Sequence, residues 1–463
     1  MKRVFVLCLM LMFCYGTLFA QQSTASHPDM EWWKDAKFGL FVHWGLYSVT
    51  AGDWKGKPSK GNEHFMLYER IPVKEYAKIA DDFNPVKFDA DAWVKTAKEA
   101  GMKYVVFTSK HHDGYAMYQS KASDYNIVKT TKWGRDPIKE LAAACKKYGL
   151  KLGLYYSLGR DWEDPDVPTN WPEKAGRSNT WDFPDEDAKD FSKYFERKVK
   201  PQIKELLTNY GPIGILWFDT PELISKAQST ELSAMIRKIQ PNCIINSRIG
   251  NGLGDYLVSE QQIAASKITK PWEACITMSG KWSFNRYDRA WKSPELLVRQ
   301  LVEIVCKGGN FLLNVNPDGQ GTLPAQSLTN LHQIGKWMDV NKEAVYGVQP
   351  WTVTFESLAE QTTSGNKKSD GLVDTDNDNT LKNITPDIYF SQKKGVVYLY
   401  ARSWKAGEII AKSMNSASLT VKSVSLLGLK AKLDWKQNSN GLTIRLPEKF
   451  IAEIPVYVFK ITL

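Results

Sequence analysis

Three of the six histidines in this 463-residue chain stand at the ends of apolar, β-branched runs: His43 in FGLFVHW, and His111 and His112 directly after KYVVFTSK. Asp219 ends a further run, ILWFD. A carboxylate closing so apolar a segment is costly unless it faces water or a partner. Read structurally, it is a helix cap or a salt-bridged strand end. Read chemically, with Trp217 and Phe218 before it, it is an anion placed to attack a ring held against aromatic faces. Neutral imidazoles beside it would exchange hydrogen bonds with hydroxyl groups.

Such a carboxylate needs a second carboxyl that donates a proton if the reaction is glycoside hydrolysis. Glu260 in DYLVSEQ and Glu273 in KPWEACITM are both candidates, and periodicity does not choose between them. Arg248, closing CIINSR, offers a bidentate contact to a carboxylate or to hydroxyls, or else a salt bridge at the rim. Glu63 lies in the loop after the first run, and Trp44, Trp282 and Phe284 are candidate apolar walls. A metal centre is the competitor. Adjacent His111 and His112 point to opposite sides of an extended backbone, and neither HExxH nor an HxH pair is present, so no metal or cofactor is expected.

The elements that must position these residues are apolar runs alternating with helical periodicity. FGLFVHW (38–44), KYVVFTS (103–109), KLGLYYS (151–157), IGILWFD (213–219), CIINSRI (243–249) and NFLLNVN (310–316) read as buried parallel strands, with WEACITM (272–278) a weaker seventh. Helices are predicted over 89–100, 135–148, 187–208, 225–239, 293–306 and about 325–341. Function-bearing strand ends in this alternation imply an α/β fold, an irregular (β/α)8-like TIM barrel over 27–347 with one strand not visible. The Pro-, Asp- and Trp-rich segment 159–185 is a long loop beside the active face. From 348 to 463 short alternating runs indicate an antiparallel β-sandwich, with 361–380 an exposed loop.

The chain opens Met-Lys-Arg followed by the uncharged run VFVLCLMLMFCYGTLFA, suited to a signal peptide over 1–20 with cleavage after Ala20. This predicts export to the periplasm or outside the cell; the surroundings of Cys14 suit lipid anchorage poorly. The formal charge of +10 falls to about +8 without Lys2 and Arg3. Its lysines alternate with acids, which argues against nucleic acid as a partner. No later stretch is apolar enough to span a membrane. Cys145, Cys243, Cys275 and Cys306 are widely spaced and read as core residues, with a disulfide open in an oxidising compartment.

FGLFVHWGLYSV, NEHFMLYE, FNPVKFDADAWVKTAKEAGMKYVVFTSKHHDGYAMYQSKASDYN, LGLYYS, GILWFD and CKGGNFLLNVNPDGQGTLP stand in unbroken order over residues 30–350. Together they resemble the exo-acting alpha-L-fucosidases of glycoside hydrolase family 29. The resemblance implies that His43, His111 and His112 bind fucose hydroxyls and that Asp219 is the nucleophile of a retaining double displacement. Arg248 and Glu260 match the family's arginine followed about a dozen residues later by an acid/base carboxylate. Glu273 stays open, because other members supply the proton from a different loop. Trp282 and Phe284 would wall the 6-deoxy methyl, a contact of about 1–3 kcal/mol. The implied partner is a fucosylated oligosaccharide or glycoconjugate, with relaxed linkage preference. Two departures stand out: His64 replaces the tryptophan that commonly follows Glu63, and Thr220 stands where glycine often follows the aspartate. The alternatives are a noncatalytic fucose-binding protein and a glycosidase of different linkage or sugar specificity.

Overall fold

The computed structural model describes residues 30–168, 178–357, 372–374, 388–402, 408–430, 432–445 and 454–463. The predicted signal segment 1–20 lies outside the described residues, as do 169–177 of the long loop and most of 361–380.

Eight parallel strands form one curled sheet: β1 (Phe38–Val42), β2 (Tyr104–Lys110), β3 (Lys151–Ser157), β4 (Ile215–Asp219), β5 (Ile244–Ile245), β6 (Leu257–Glu260), β7 (Trp272–Thr277) and β8 (Asn310–Val315). Their order is β5-β4-β3-β2-β1-β8-β7-β6. The outer strands meet through a parallel bridge between Asn246 and Tyr256, where the Asp255 N–H donates to the Ile245 carbonyl at 2.7 Å. The strand not visible in the sequence is β6. It has four residues and is exposed or half-buried throughout, so it carries no continuous apolar run. β5 is shorter than expected: after Ile245 the chain turns into a single 3-10 turn, Ser247–Ile249, which carries Arg248.

Helices lie between the strands where the periodicity places them: α1 (Ala90–Glu99), α2 (Pro137–Tyr148), α3 (Phe191–Asn209), α4 (Lys226–Ile239), α5 (Pro294–Cys306) and α6 (Ala325–Asn341). Polar side chains start the first five, since the first N–H groups of a helix lack intrahelical partners, whereas α6 follows Pro324. Asp89 accepts from the Ala92 N–H, and Ser225 and Gln228 close a capping box on α4. Within α3, residues Phe195–Val199 form a π-helical turn.

Side chains alternate across each strand, so every second residue enters the barrel. Phe41, Val106, Tyr155, Trp217, Cys275 and Leu312 form one interior cluster, which extends below to Tyr104, Tyr256 and Trp33. Trp33 belongs to the helix Met30–Ala36, which closes that end. Two residues further along their strands, Ser157 pairs with Asp219 and Thr277 with Asn314, so the same inward phase delivers polar groups to the open mouth.

Beyond the barrel lie β9 (Gln349–Glu356), β10 (Ile388–Lys393), β11 (Val396–Ala401), β12 (Glu408–Ala411), β13 (Ser423–Leu426), β14 (Asp434–Asn438), β15 (Gly441–Arg445) and β16 (Tyr457–Thr462). They make two antiparallel sheets, β9-β10-β11-β16-β13 and β12-β15-β14. Phe390, Leu399, Leu442, Ile444 and Phe459 share a buried core between them. Trp337 of α6 donates its indole N–H to the Val456 carbonyl at 2.9 Å, tying this unit to the barrel. Cys145, Cys243, Cys275 and Cys306 are buried free thiols, packed as core residues. No helix among the described residues is long and apolar enough to cross a membrane.

Candidate active site

A cavity of about 330 Å³ opens at the C-terminal ends of the barrel strands. This is the face where loop and strand-end side chains of a βα barrel converge. Its lining includes His43, Glu63, His64, His111, His112, Tyr155, Arg160, Trp217, Asp219, Arg248, Glu260 and Trp282.

Asp219 is held from both sides. Its Oδ1 accepts from Arg248 at 2.6 Å and from the Thr220 N–H at 2.9 Å, and its Oδ2 accepts from the Tyr155 hydroxyl at 2.8 Å. Burial pushes this carboxyl up, but the Arg248 charge, the Tyr155 hydrogen bond and the Arg160 charge outweigh it and hold Asp219 below the usual carboxylate range. The acid is therefore an anion across neutral pH. Thr220 adopts φ 54°, the left-handed region that glycine enters without penalty. The peptide plane between the two residues, and not this φ, aims the Thr220 N–H back at the carboxylate.

Arg248 also donates to Glu260 at 2.5 Å, so one guanidinium spans both carboxylates. It lies 5.2 Å from the centre of the Trp217 ring, a cation–π placement. Trp217 in turn stacks on Tyr155 at 5.6 Å and 21°.

Hydrogen-bond networks assign the tautomers of two histidines. Asn314 donates its amide to the Trp282 carbonyl, which leaves its Oδ1 to accept from His43 Nδ1 at 2.7 Å. Ser157 spends its hydroxyl proton on the Arg160 carbonyl, so its oxygen accepts from His112 Nδ1 at 2.7 Å. Both rings then carry the lone pair on Nε2. His112 Nε2 lies 3.6 Å from Asp219 Oδ2, two acceptors facing one another. Burial lowers His43 to about 4 and pushes His111 and His112 well below the ordinary value, so these imidazoles are neutral at pH 7.

The structure therefore brings His43, Glu63, His111, His112, Trp217, Asp219, Arg248, Glu260 and Trp282 to one cavity. Three expectations are corrected. Trp44 is fully buried outside the barrel interior, stacked on Phe88 at 5.1 Å with its indole N–H on the Asp318 carbonyl. It follows the inward-facing His43 and so faces the other way. Phe284 is half-buried and does not line the cavity. Glu273 sits two residues below Cys275, the β7 partner of Glu260, accepting from Tyr104 at 2.6 Å and from the Trp217 indole at 2.9 Å. The Trp217 ring separates it from the cavity.

A fourth correction concerns the histidine pair. β2 ends at Lys110, and the chain then turns, with the Gly114 N–H on the His111 carbonyl at 3.1 Å. Both rings enter the same cavity with centroids 4.2 Å apart, so the extended-strand premise fails. His64 joins them: one ring nitrogen from each of His64, His111 and His112 falls within 4.8 Å of the others.

Sequence reasoning missed Tyr155, Arg160 and Glu222 as cavity residues, and noted His64 only as a departure. Tyr155 was within reach, because it precedes Ser157 by two and so shares the inward phase that register gives Trp217 and Asp219. Arg160, paired with Glu222 at 3.2 Å, lies in the loop after β3 and carried no periodic signal.

Comparison with known proteins agrees with this geometry. A family model described as Alpha-L-fucosidase matches residues 18–343, and one described as Alpha-L-fucosidase C-terminal domain matches 379–462. The chain is 30% identical to the plasma alpha-L-fucosidase of Homo sapiens, over 92% of this chain and 87% of that one. It is 28% identical to the alpha-L-fucosidase of Dictyostelium discoideum, over 97% and 95%. Among solved structures, alpha-L-fucosidase isoenzyme 1 from Paenibacillus thiaminolyticus superposes with a TM-score of 0.80 at 32% identity, covering 95% of this chain and all of that one. The fucosidase AlfC from Lactobacillus casei, in complex with its alpha-L-fucose product, gives 0.64 at 43% identity over 68% of this chain and 99% of its own. Barrel, cavity and both matched regions together assign this chain to the alpha-L-fucosidase family of glycoside hydrolases, family 29.

Proposed function

We propose that this protein is an exo-acting alpha-L-fucosidase that removes terminal alpha-L-fucosyl residues from glycans with retention, by double displacement. The observation that carries the reading is the pair Asp219 and Glu260 bound to one guanidinium, Arg248, at the mouth of the cavity. Retention requires carboxyls about 5–5.5 Å apart, whereas inversion needs about 6.5–9.5 Å to seat a water between them. Two carboxylates on neighbouring nitrogens of one side chain favour the shorter class.

In this mechanism Asp219 attacks the anomeric carbon while Glu260 protonates the departing oxygen. Once Asp219 is esterified its charge is gone, and Arg248 keeps Glu260 as its anionic partner. Glu260 then takes a proton from the water that releases fucose. The facing acceptors His112 Nε2 and Asp219 Oδ2 call for a donor between them, which a ring hydroxyl supplies. Trp282, packed on His43 at 5.0 Å, offers the apolar wall for the 6-deoxy methyl. Glu273, sealed under Trp217, serves as a support and not as the proton donor. The apolar run before Gln21 supports export as the setting, and a fucosylated glycan is the partner.

The experiment is release of 4-nitrophenol from its alpha-L-fucoside by purified protein, with Asp219→Ala and a chelator-treated sample alongside. Turnover that survives chelation and falls roughly 10⁴-fold in the variant supports the reading. A folded wild type without turnover contradicts it, and favours a fucose-binding protein.

A further inference from the structure

We propose that the cavity also binds a borderline transition-metal dication of the Zn²⁺ class on His64, His111 and His112, beside Asp219, at the expense of the sugar.

Three imidazoles are a common first coordination set for such ions, with metal–nitrogen bonds of about 2.0–2.1 Å and ligand nitrogens roughly 3.3 Å apart. Here the three nitrogens already lie within 4.8 Å of one another, so side-chain rotations of about 1 Å close the set. Two separate turns place the three side chains. His111 and His112 are fixed by the turn after β2, and His64 by the 3-10 turn Asn62–His64. A tryptophan at position 64 would supply no ligand, so the third nitrogen depends on His64.

Two independent features point to a cation. His111 Nδ1 is buried with no hydrogen-bond partner among the described residues. His112 Nε2 and Asp219 Oδ2 face each other at 3.6 Å with no proton between them, an electron-rich spot that a dication neutralises. The Ser157 oxygen behind His112 Nδ1 is the outer hydrogen bond that metal-binding imidazoles ordinarily have, and it fixes the Nε2 lone pair toward the cavity. Arg248 and Arg160 oppose the ion by charge, which sets a weak, reversible site and not a resident cofactor. An ion there would occupy the space of the sugar hydroxyls and engage the carboxylate that the proposed hydrolysis needs free.

The test does not depend on hydrolysis. Metal-stripped wild type is titrated with CoCl₂, followed by visible absorption, and with ZnCl₂, followed by calorimetry, in parallel with His64→Gln and His64→Trp; circular dichroism checks their folds. Saturable one-to-one uptake with tetrahedral Co²⁺ bands, weakened about 10-fold or more in both variants, is the expected result. No uptake by the wild type, or uptake unchanged in a folded His64 variant, overturns the proposal. In the hydrolytic assay the same Zn²⁺ raises the wild-type KM and affects His64→Gln less.

Discussion

Replacing Tyr155 with phenylalanine removes one oxygen and leaves the ring. That ring stacks on Trp217 at 5.6 Å and on His111 at 5.4 Å, so the packing that shapes the cavity persists. What disappears is the 2.8 Å hydrogen bond to Asp219 Oδ2. A hydrogen bond to a charged group is worth about 1.5–3 kcal/mol, and the Asp219 side chain, 15% exposed, belongs near the lower end because water replaces part of the contact. At about 1.36 kcal/mol per pKa unit, the carboxyl should rise by roughly one unit. In the proposed mechanism Asp219 attacks as an anion, so the acid limb of the kcat/KM profile should move upward by about one pH unit. Arg248 and the Thr220 N–H still hold Oδ1, so the carboxylate stays in place. The assay is kcat/KM for 4-nitrophenyl alpha-L-fucoside from pH 3 to 8, with circular dichroism to confirm the fold. An acid limb that stays put in a folded Tyr155→Phe protein would refute the claim that this hydroxyl sustains the anionic nucleophile.

Two further predictions separate the remaining carboxyls. Glu260→Ala should slow substrates with poor leaving groups far more than activated aryl fucosides, and azide should restore turnover with formation of the alpha-fucosyl azide; the same pattern from Glu273→Gln would exchange their roles. Burial raises Glu273 to about 7, opposed by the Tyr104 and Trp217 hydrogen bonds, whereas the unfolded chain ionises near 4.5. The unfolded state therefore releases its proton first, and this group costs the fold about 3 kcal/mol progressively as pH rises from about 4.5 to 7. Glu273→Gln should remove that fall, read by urea denaturation at pH 5 and pH 7.5; an unchanged pH dependence would show that Glu273 is not held protonated.

Much of the site was legible because period-two alternation in buried strands ties chemistry to phase. His43 and Asp219 end strands whose inward residues are apolar one step earlier, and the same alternation assigns Trp44 to the outside, a consequence that its neighbour His43 already carried. Tyr155 could have been found by that rule. β6 could not, because a four-residue, half-exposed strand has no apolar signature, and without β6 the relative heights of Glu260 and Glu273 were invisible. Register decides that question: Glu260 pairs with Cys275, which puts Glu273 two residues deeper, beneath Trp217. The pairing of His111 with His112 depended on where β2 stops, and strand ends are among the least certain features of a sequence. His64 reaches the cavity through a loop, where spacing says nothing about direction.

The central claim is that Asp219 becomes covalently bound to the sugar. Incubation with 2-deoxy-2-fluoro-alpha-L-fucosyl fluoride, whose fluorine slows release of the intermediate, followed by peptide mass spectrometry tests it directly. A single fluorofucosyl adduct on the peptide carrying Asp219, with turnover lost in step with labelling, is the predicted result. An adduct on another carboxylate, or an unlabelled enzyme whose first-formed product is beta-L-fucose, would contradict the account.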